Sequence, residues 1–425
     1  MENKSALSRR SFLKKTTTAG ASASTFMIIK PELVRGVGNE KLRAGLIGCG
    51  GRGTEAATQF MLGSDNVELV AMGDIFEDRL EGSLKRIRAV EEKDPRVKGK
   101  VKVTPEHHFI GFDAYQKVIA SDIDIVMLAT PPGYRPMHFE AAIAAKKHVF
   151  CEKPFGTDPV GVKRFMAAAR RSEELKLTVV SGAQRRAQKE YVETIQKIKD
   201  GAIGDVTAAY AYWVGGPVIQ QKARDLKWGD MAWQHRAWYS FVWICGDQVV
   251  EQHLHNIDVI NWVMGTHPVK VVASGGAAWR PKEEIYGNIY DHISADFTYA
   301  NGVHMSSYCR QYPKGAYTNV SELVVGSKGR STCSDMGTKG ENPYVQEHMD
   351  MVKSIRGQGP YINQAMTVAE STMTCIMARE SAYSGQEITW DQMMASNLDL
   401  MPKAFGYDEK LEVPPLPVPG QYKFY

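Results

Sequence analysis

The stretch "LRAGLIGCGGRGTEAATQFM", residues 42–61, decides the fold. Leu42–Ile47 is a short apolar run suited to a buried parallel strand. Gly48, Gly50 and Gly53 follow in G-x-G-x-x-G spacing, and Thr54–Met61 can continue as a helix. Glycines there permit a tight turn, close approach of backbone to a pyrophosphate, and tight helix–strand contact. Glycine turns that only join elements share the spacing, so the reading needs support from further along. "VELVAMGD" (67–74) reads as a second strand, with Asp74 at its end, 21 residues past Gly53. A carboxylate at that point accepts from a ribose diol and repels a 2′-phosphate, which favours NAD over NADP. "DIDIVMLATPP" (122–132) reads as a later strand ending in small residues and prolines, where a cofactor ring can pass. The predicted cofactor site therefore holds Gly48, Gly50, Gly51, Arg52, Gly53, Asp74 and Thr130. Arg52 and Arg79 are the cations that keep NADP in view.

At 425 residues the chain exceeds one ordinary core, so two domains are expected. Its 43% apolar and 24% charged residues are the composition of a soluble globular protein. The net charge of +4 is concentrated at one end: residues 1–35 carry seven Lys/Arg against Glu2 and Glu32, leaving about −1 for the rest. A near-neutral body lacks the concentrated basic face that nucleic-acid binding needs. Within that front end, Phe26–Ile29 is far shorter than the roughly 20 residues of a membrane span. Ser8-Arg9-Arg10-Ser11-Phe12-Leu13-Lys14 resembles a twin-arginine export signal. Residues 1–35 are accordingly set apart from the fold. The expected partner is the twin-arginine machinery and the expected location the periplasm, or the cytoplasm if the signal is unused. Six cysteines without C-x-x-C spacing suggest neither a zinc site nor a disulfide framework.

"AAIAAKKHVFCEKPFGTD" (141–158) gives a helix of small residues, a strand His148–Cys151, and Glu152-Lys153-Pro154 at its end. Lys153 thereby stands outside the carboxyl end of a strand, where doubly wound sheets bind ligands. An ammonium there can polarise a carbonyl or share the proton of an alcohol undergoing oxidation. These motifs, in this order, resemble the Gfo/Idh/MocA oxidoreductases, the glucose–fructose oxidoreductase and inositol dehydrogenase group, over roughly residues 40–400. The resemblance implies an α/β protein: a Rossmann domain with a doubly wound parallel sheet over 40–155, then an α+β domain with a mostly antiparallel open sheet over 156–400. It implies that the sheet covers the cofactor site and serves a homo-oligomer interface. It also adds Glu152 and Lys153 to the cofactor site, with Lys153 directed at substrate and nicotinamide.

The second domain begins within "VVSGAQRRAQKEYVETIQKIKDGAIGDV" (179–206), which carries Gln184, Arg185 and a helix with Tyr191. Between β-type runs such as "VTAAYAYWV" and "HISADFTYA" lies a segment holding Trp228, Trp233, Trp238, Trp243 and Trp262. Aromatic faces beside polar groups suit carbohydrate, whose C–H faces stack while its hydroxyls seek hydrogen bonds. Plain core packing would use the same residues. Residues 344–400 are predicted as helices packing back on the first domain, and 401–425 as a proline-rich arm across a neighbour or the chain's own surface.

"VVEQHLHNIDVINW" (249–262) places Glu251, His255, Asp258 and Trp262 on one face of a predicted helix, with His253 on the other side. Only Glu251 and His255 have metal-ligand spacing and no third ligand stands out, so no metal is expected. In the resembled family an Asp, a catalytic His and a further Asp recur at these intervals. His255 and Asp258 fall on the latter two, and Glu251 stands where the family has Asp. The resemblance assigns proton transfer to His255, the oxygen of the alcohol to Lys153, and orientation to Glu251. Gln184, Arg185, Tyr191, Trp238 and Asp258 are the expected substrate-binding residues. The function expected is hydride transfer between NAD and a secondary alcohol of a sugar or glycoside. Two alternatives stand beside it: an NAD-dependent glycosidase or lyase that oxidises the sugar transiently, and a dinucleotide-binding protein without catalysis. An exported enzyme, cut off from a free NAD pool, should bind its cofactor tightly.

Overall fold

Leu42, Ala44, Leu46 and Ile47 are almost wholly buried in the computed structural model of the protein, which describes residues 40–218, 224–225, 227–281 and 283–424. The expected export segment lies outside the described residues. Strand β1 (Leu42–Ile47) is central to a parallel sheet completed by β2 (Val67–Asp74), β3 (His108–Ile110), β4 (Ile125–Leu128), β5 (His148–Cys151) and β6 (Val179–Ser181). The order is β3-β2-β1-β4-β5-β6. Its direction reverses between β1 and β4, and the crevice outside their carboxyl ends is where doubly wound sheets bind ligands. β1, β4 and β5 are largely apolar runs because helices cover the sheet, among them Gly51–Gly63 and Arg135–Ala144.

The first domain runs further than the expected limit of 155. Val179–Ser181 is buried at every position and pairs in parallel with β5, with Pro159–Glu174 as the crossover helix. Strand propensity was visible there; sheet membership is a tertiary choice.

The second sheet contains β7 (Val206–Gly215), β8 (Lys270–Gly276), β9 (His292–Thr298), β10 (His304–Gln311), β11 (Asn319–Gly326), β12 (Gly329–Ser331) and β13 (Ile388–Thr389). Its order is β12-β11-β7-β10-β9-β8-β13, and only the β7–β10 pair is parallel. β10 alternates exposed and buried residues over His304–Cys309, as a sheet covered on one face should. The covering helices are Leu254–Met264 and Ala365–Ser384. Helix Pro343–Ile355 instead packs on Gly51–Gly63 of the first domain, with Val345 and Met349 against Gly63. The last residues follow the chain's own surface: Tyr290 donates to the carbonyl of Pro417 (2.7 Å), and Tyr422 to Glu380 (2.8 Å). Among the described residues no helix is long and apolar enough to cross a membrane.

Candidate active site

The glycine loop divides its labour. Gly48 has φ +95°, and a Cβ there would lie 2.6 Å from the backbone of Ala129 and Thr130. A Cβ on Gly53 would meet the Gly48 carbonyl oxygen at 1.9 Å, so this glycine lets the helix close on the strand. At Gly50 a Cβ would meet nothing within 4 Å. Open space there, at the N-terminus of the 13-residue helix Gly51–Gly63, is a cradle for an anion. Asp74 is fixed beside it by the backbone N–H groups of Cys49 (2.7 Å) and Phe76 (2.9 Å). Burial pushes its carboxyl up, and those two donors pull it back. Arg52 leans over the loop to Glu152 (2.6 Å) and Gln59 (2.7 Å), with its guanidinium 4.9 Å from the ring centre of Tyr344.

From this loop a cavity of about 740 Å³ runs to the second domain. At its far end Lys153 donates to the Glu251 carboxylate (3.0 Å) and also to the Glu251 main-chain carbonyl. His255 borders the same cavity, its ring 5.8 Å from that of Trp213 and nearly parallel to it. Its Nδ1 is buried and has no hydrogen-bond partner. Burial pushes its pKa well below the ordinary value, helped by the positive charges of Lys153 and Arg185. These causes hold the ring neutral and oppose a lasting positive charge on it.

The helix that was to align Glu251 with His255 is broken. One helix ends at Glu251 and the next starts at Leu254, and His253 N–H reaches back five residues to Gln248 (3.3 Å). Both side chains nevertheless reach the cavity, from two helices instead of one face. His253 turns away and pairs through Nε2 with the Ser307 hydroxyl (2.8 Å).

Gln184 and Trp238 border the cavity; Arg185, Tyr191 and Asp258 do not. Asp258 accepts both nitrogens of Arg186 (2.8 and 2.7 Å) and the hydroxyl of Ser371 (2.8 Å). Arg185 is paired with Glu322, which also accepts from Tyr191 (3.0 Å). Those three residues were expected at substrate; the structure commits Arg185 and Asp258 to ion pairs and Tyr191 to a hydrogen bond with Glu322 outside the cavity. Their partners Glu322 and Ser371 come from β11 and a distant helix, which no local pattern discloses.

Sequence reasoning passed over Tyr134, His138 and Phe112, which also border the cavity. Tyr134 donates to His235 Nε2 (2.6 Å), because Nδ1 of that ring must donate to the Met231 carbonyl (2.6 Å). The signal available was position: Tyr134 lies just past the strand whose end, at Thr130, was already assigned to the cofactor. Among the described residues no group of three metal-ligating side chains converges.

Fold and site together define a class: a Rossmann domain whose ligand cleft is closed by a mostly antiparallel sheet domain. The chain belongs to the Gfo/Idh/MocA oxidoreductase family. Residues 42–180 match the family's model for "Oxidoreductase family, NAD-binding Rossmann fold", and residues 191–332 match its C-terminal domain. An inositol 2-dehydrogenase from Acidothermus cellulolyticus is 25% identical over 238 residues, 56% of this chain and 58% of that protein. Inositol 2-dehydrogenase 4 of Saccharopolyspora erythraea is 33% identical over 172 residues, 39% of this chain and 43% of that protein. The matches thus span 58% and 43% of the lengths of these two curated relatives. In fold it is similar to the Lactobacillus casei scyllo-inositol dehydrogenase solved with NAD(H) and scyllo-inositol. That likeness has a TM-score of 0.63 at 18% identity, covering 82% of this chain and 99% of that one. It is similar also to an aldose–aldose oxidoreductase from Caulobacter crescentus, with a TM-score of 0.63 at 16% identity, covering 82% and 100%.

Proposed function

We propose that the protein is an NAD-dependent oxidoreductase that removes hydride from a secondary alcohol of a sugar or cyclic polyol. The observation that carries this reading is the meeting of Lys153, Glu251 and an unpartnered, neutral His255 in the cavity that begins at the glycine loop. Gly50 leaves the space a pyrophosphate needs, and Asp74 stands where a ribose diol would be bound. A bound nicotinamide would supply the hydride acceptor. His255 takes the hydroxyl proton, and Lys153 donates to the alcohol oxygen and stabilises its developing negative charge. Glu251 holds the ammonium in place through its carboxylate (3.0 Å). Gln184 and Trp238 offer a hydrogen-bonding amide and a flat apolar face on the same wall. The named activities of the inositol dehydrogenases above favour a polyol.

The reading includes export through the Arg9-Arg10 segment and assembly through the open face of the second sheet, which exposes Val272, Tyr308 and Val320. The direct test of the activity is growth of reduced-dinucleotide absorbance with NAD and a panel of inositols, aldoses and methyl glycosides. Turnover of at least one member with NAD supports the proposal. A purified chain that binds NAD and oxidises none of them, while releasing the aglycone from a glycoside, would replace it with the redox-neutral reading. For export, Arg9-Arg10→Lys-Lys should empty the periplasmic fraction; normal periplasmic levels would remove the twin-arginine route.

A further inference from the structure

The groove does not end at Asp74, and what closes it there comes from outside the Rossmann domain. Helix Asp230–Arg236 brings Arg236 onto the loop that follows β2. Its guanidinium makes two hydrogen bonds to Asp78 (2.8 and 3.0 Å) and lies 4.0 Å from the ring centre of Phe76. Trp228 covers it at 4.8 Å. The residue borders the cavity, with its Nε buried between those rings, so what it offers a ligand is the side of a held cation.

Behind Arg236 runs the segment 400–413. It is fastened to that helix by Met231 N–H to the Glu409 carbonyl (3.2 Å) and by Gln234 to the Leu411 carbonyl (2.7 Å). Gly229 makes room for it, since a Cβ there would meet the Tyr407 carbonyl at 2.4 Å. The same segment grips the Rossmann loops. The Tyr407 hydroxyl donates to the Ile75 carbonyl, and its ring packs against Phe112 at 5.2 Å. Helix and segment thus form one unit laid across the loop after Asp74.

We propose that Arg236, positioned by Tyr407, completes the adenosine end of the dinucleotide site and governs how slowly the dinucleotide leaves. This rests on the dinucleotide reading of the groove. A pyrophosphate over Gly50 and a ribose at Asp74 put the adenosine against the wall that Arg236, Phe76 and Phe112 form. Arg236 supplies that wall with a cationic surface held in place by Asp78. Departure requires the Arg236–Asp78–Phe76 contacts to part. Those contacts are an ion pair with a partner 60% exposed and a cation–π contact. Their combined loss is worth on the order of tenfold in the rate of departure.

The test is release of NADH from the full chain, followed by its fluorescence after mixing with excess NAD. Arg236→Ala should release on the order of tenfold faster. Tyr407→Phe, which removes only the hydroxyl from an aromatic position, should release a few-fold faster. Arg236→Lys should resemble the alanine variant, because a point charge replaces the planar fork. Thermal midpoints check that each variant is folded. If Arg236→Ala and Tyr407→Phe both release NADH at the parent rate, the proposal is wrong. A parent chain that binds no dinucleotide overturns it by a different route, since the reading of the groove then falls as well.

Discussion

Two sets of charged side chains lie within a few residues of one another and behave in opposite ways. Arg186–Asp258 and Arg185–Glu322 are closed: each carboxylate is at most 2% exposed and has further donors in Ser371, Tyr191 and Asn256. Lys153, Glu251 and His255 are open in that all three border the cavity: the first two are paired with each other, and His255 Nδ1 has no partner. A buried polar group with all its bonds made specifies a fold. One that borders a cavity is free to meet a ligand.

The largest expected effect falls on four buried histidines outside both sets. His138, His235, His253 and His348 are held neutral by burial, with pKa values down to about 3, about 4, about 3 and about 3. Nearby arginines push three of them further in the same direction. The unfolded chain protonates these rings near 6.5, before the folded chain does. Stability is therefore full above 6.5 and falls as pH drops toward 4, by about 1.4 kcal/mol per pH unit for each fully titrating ring. Denaturant midpoints should be level from pH 8 to 6.5 and fall below it with a slope of several protons; a profile flat down to pH 4 would mean these rings are solvated.

Next in size, Asp258→Ala strands Arg186 in the interior and should cost about 3–5 kcal/mol in stability. Turnover per folded molecule should stay within a few-fold of the parent. A normal denaturation midpoint with turnover lost would move Asp258 into the open set. Lys153→Met should do the reverse, lowering turnover by about 10²–10⁴ with little change in the amount of NAD bound. It should also let the His255 pKa rise, because one of the cations depressing it is gone, and this is observable by NMR. The smallest effect expected is from Glu251→Asp. One methylene shorter, the carboxylate loses reach to Lys153 while its main-chain carbonyl still accepts, so turnover should drop only a few-fold. Complete loss would give the carboxylate a direct part in the chemistry.

The open set was legible in sequence and the closed set was not. Gly48, Gly53 and Asp74 act through backbone geometry that local spacing fixes, and Lys153 is placed by the end of its own strand. Glu251 and His255 were selected for sharing one helical face. They meet although the helix breaks between them, so the residues were legible and the reason was not. Arg185, Tyr191 and Asp258 carry the same chemistry in the sequence. Their partners arrive from 72 to 137 positions away, and tertiary pairing decided which polar groups faced the cavity. The reach of the first sheet to β6 and the placement of Arg236 beside Phe76 have the same cause.

The central claim, that His255 is the open base, is tested most directly by comparing His255→Ala with His253→Ala. Turnover on the active substrate is measured with NAD bound per chain quantified in both. The account predicts that His255→Ala loses about 10²–10⁴ in turnover while holding NAD as the parent does. His253→Ala, which gives up the bond to Ser307 away from the cavity, should keep turnover per folded molecule. Near-full turnover in His255→Ala, with turnover abolished in His253→Ala, would contradict the account and put the base on the other histidine.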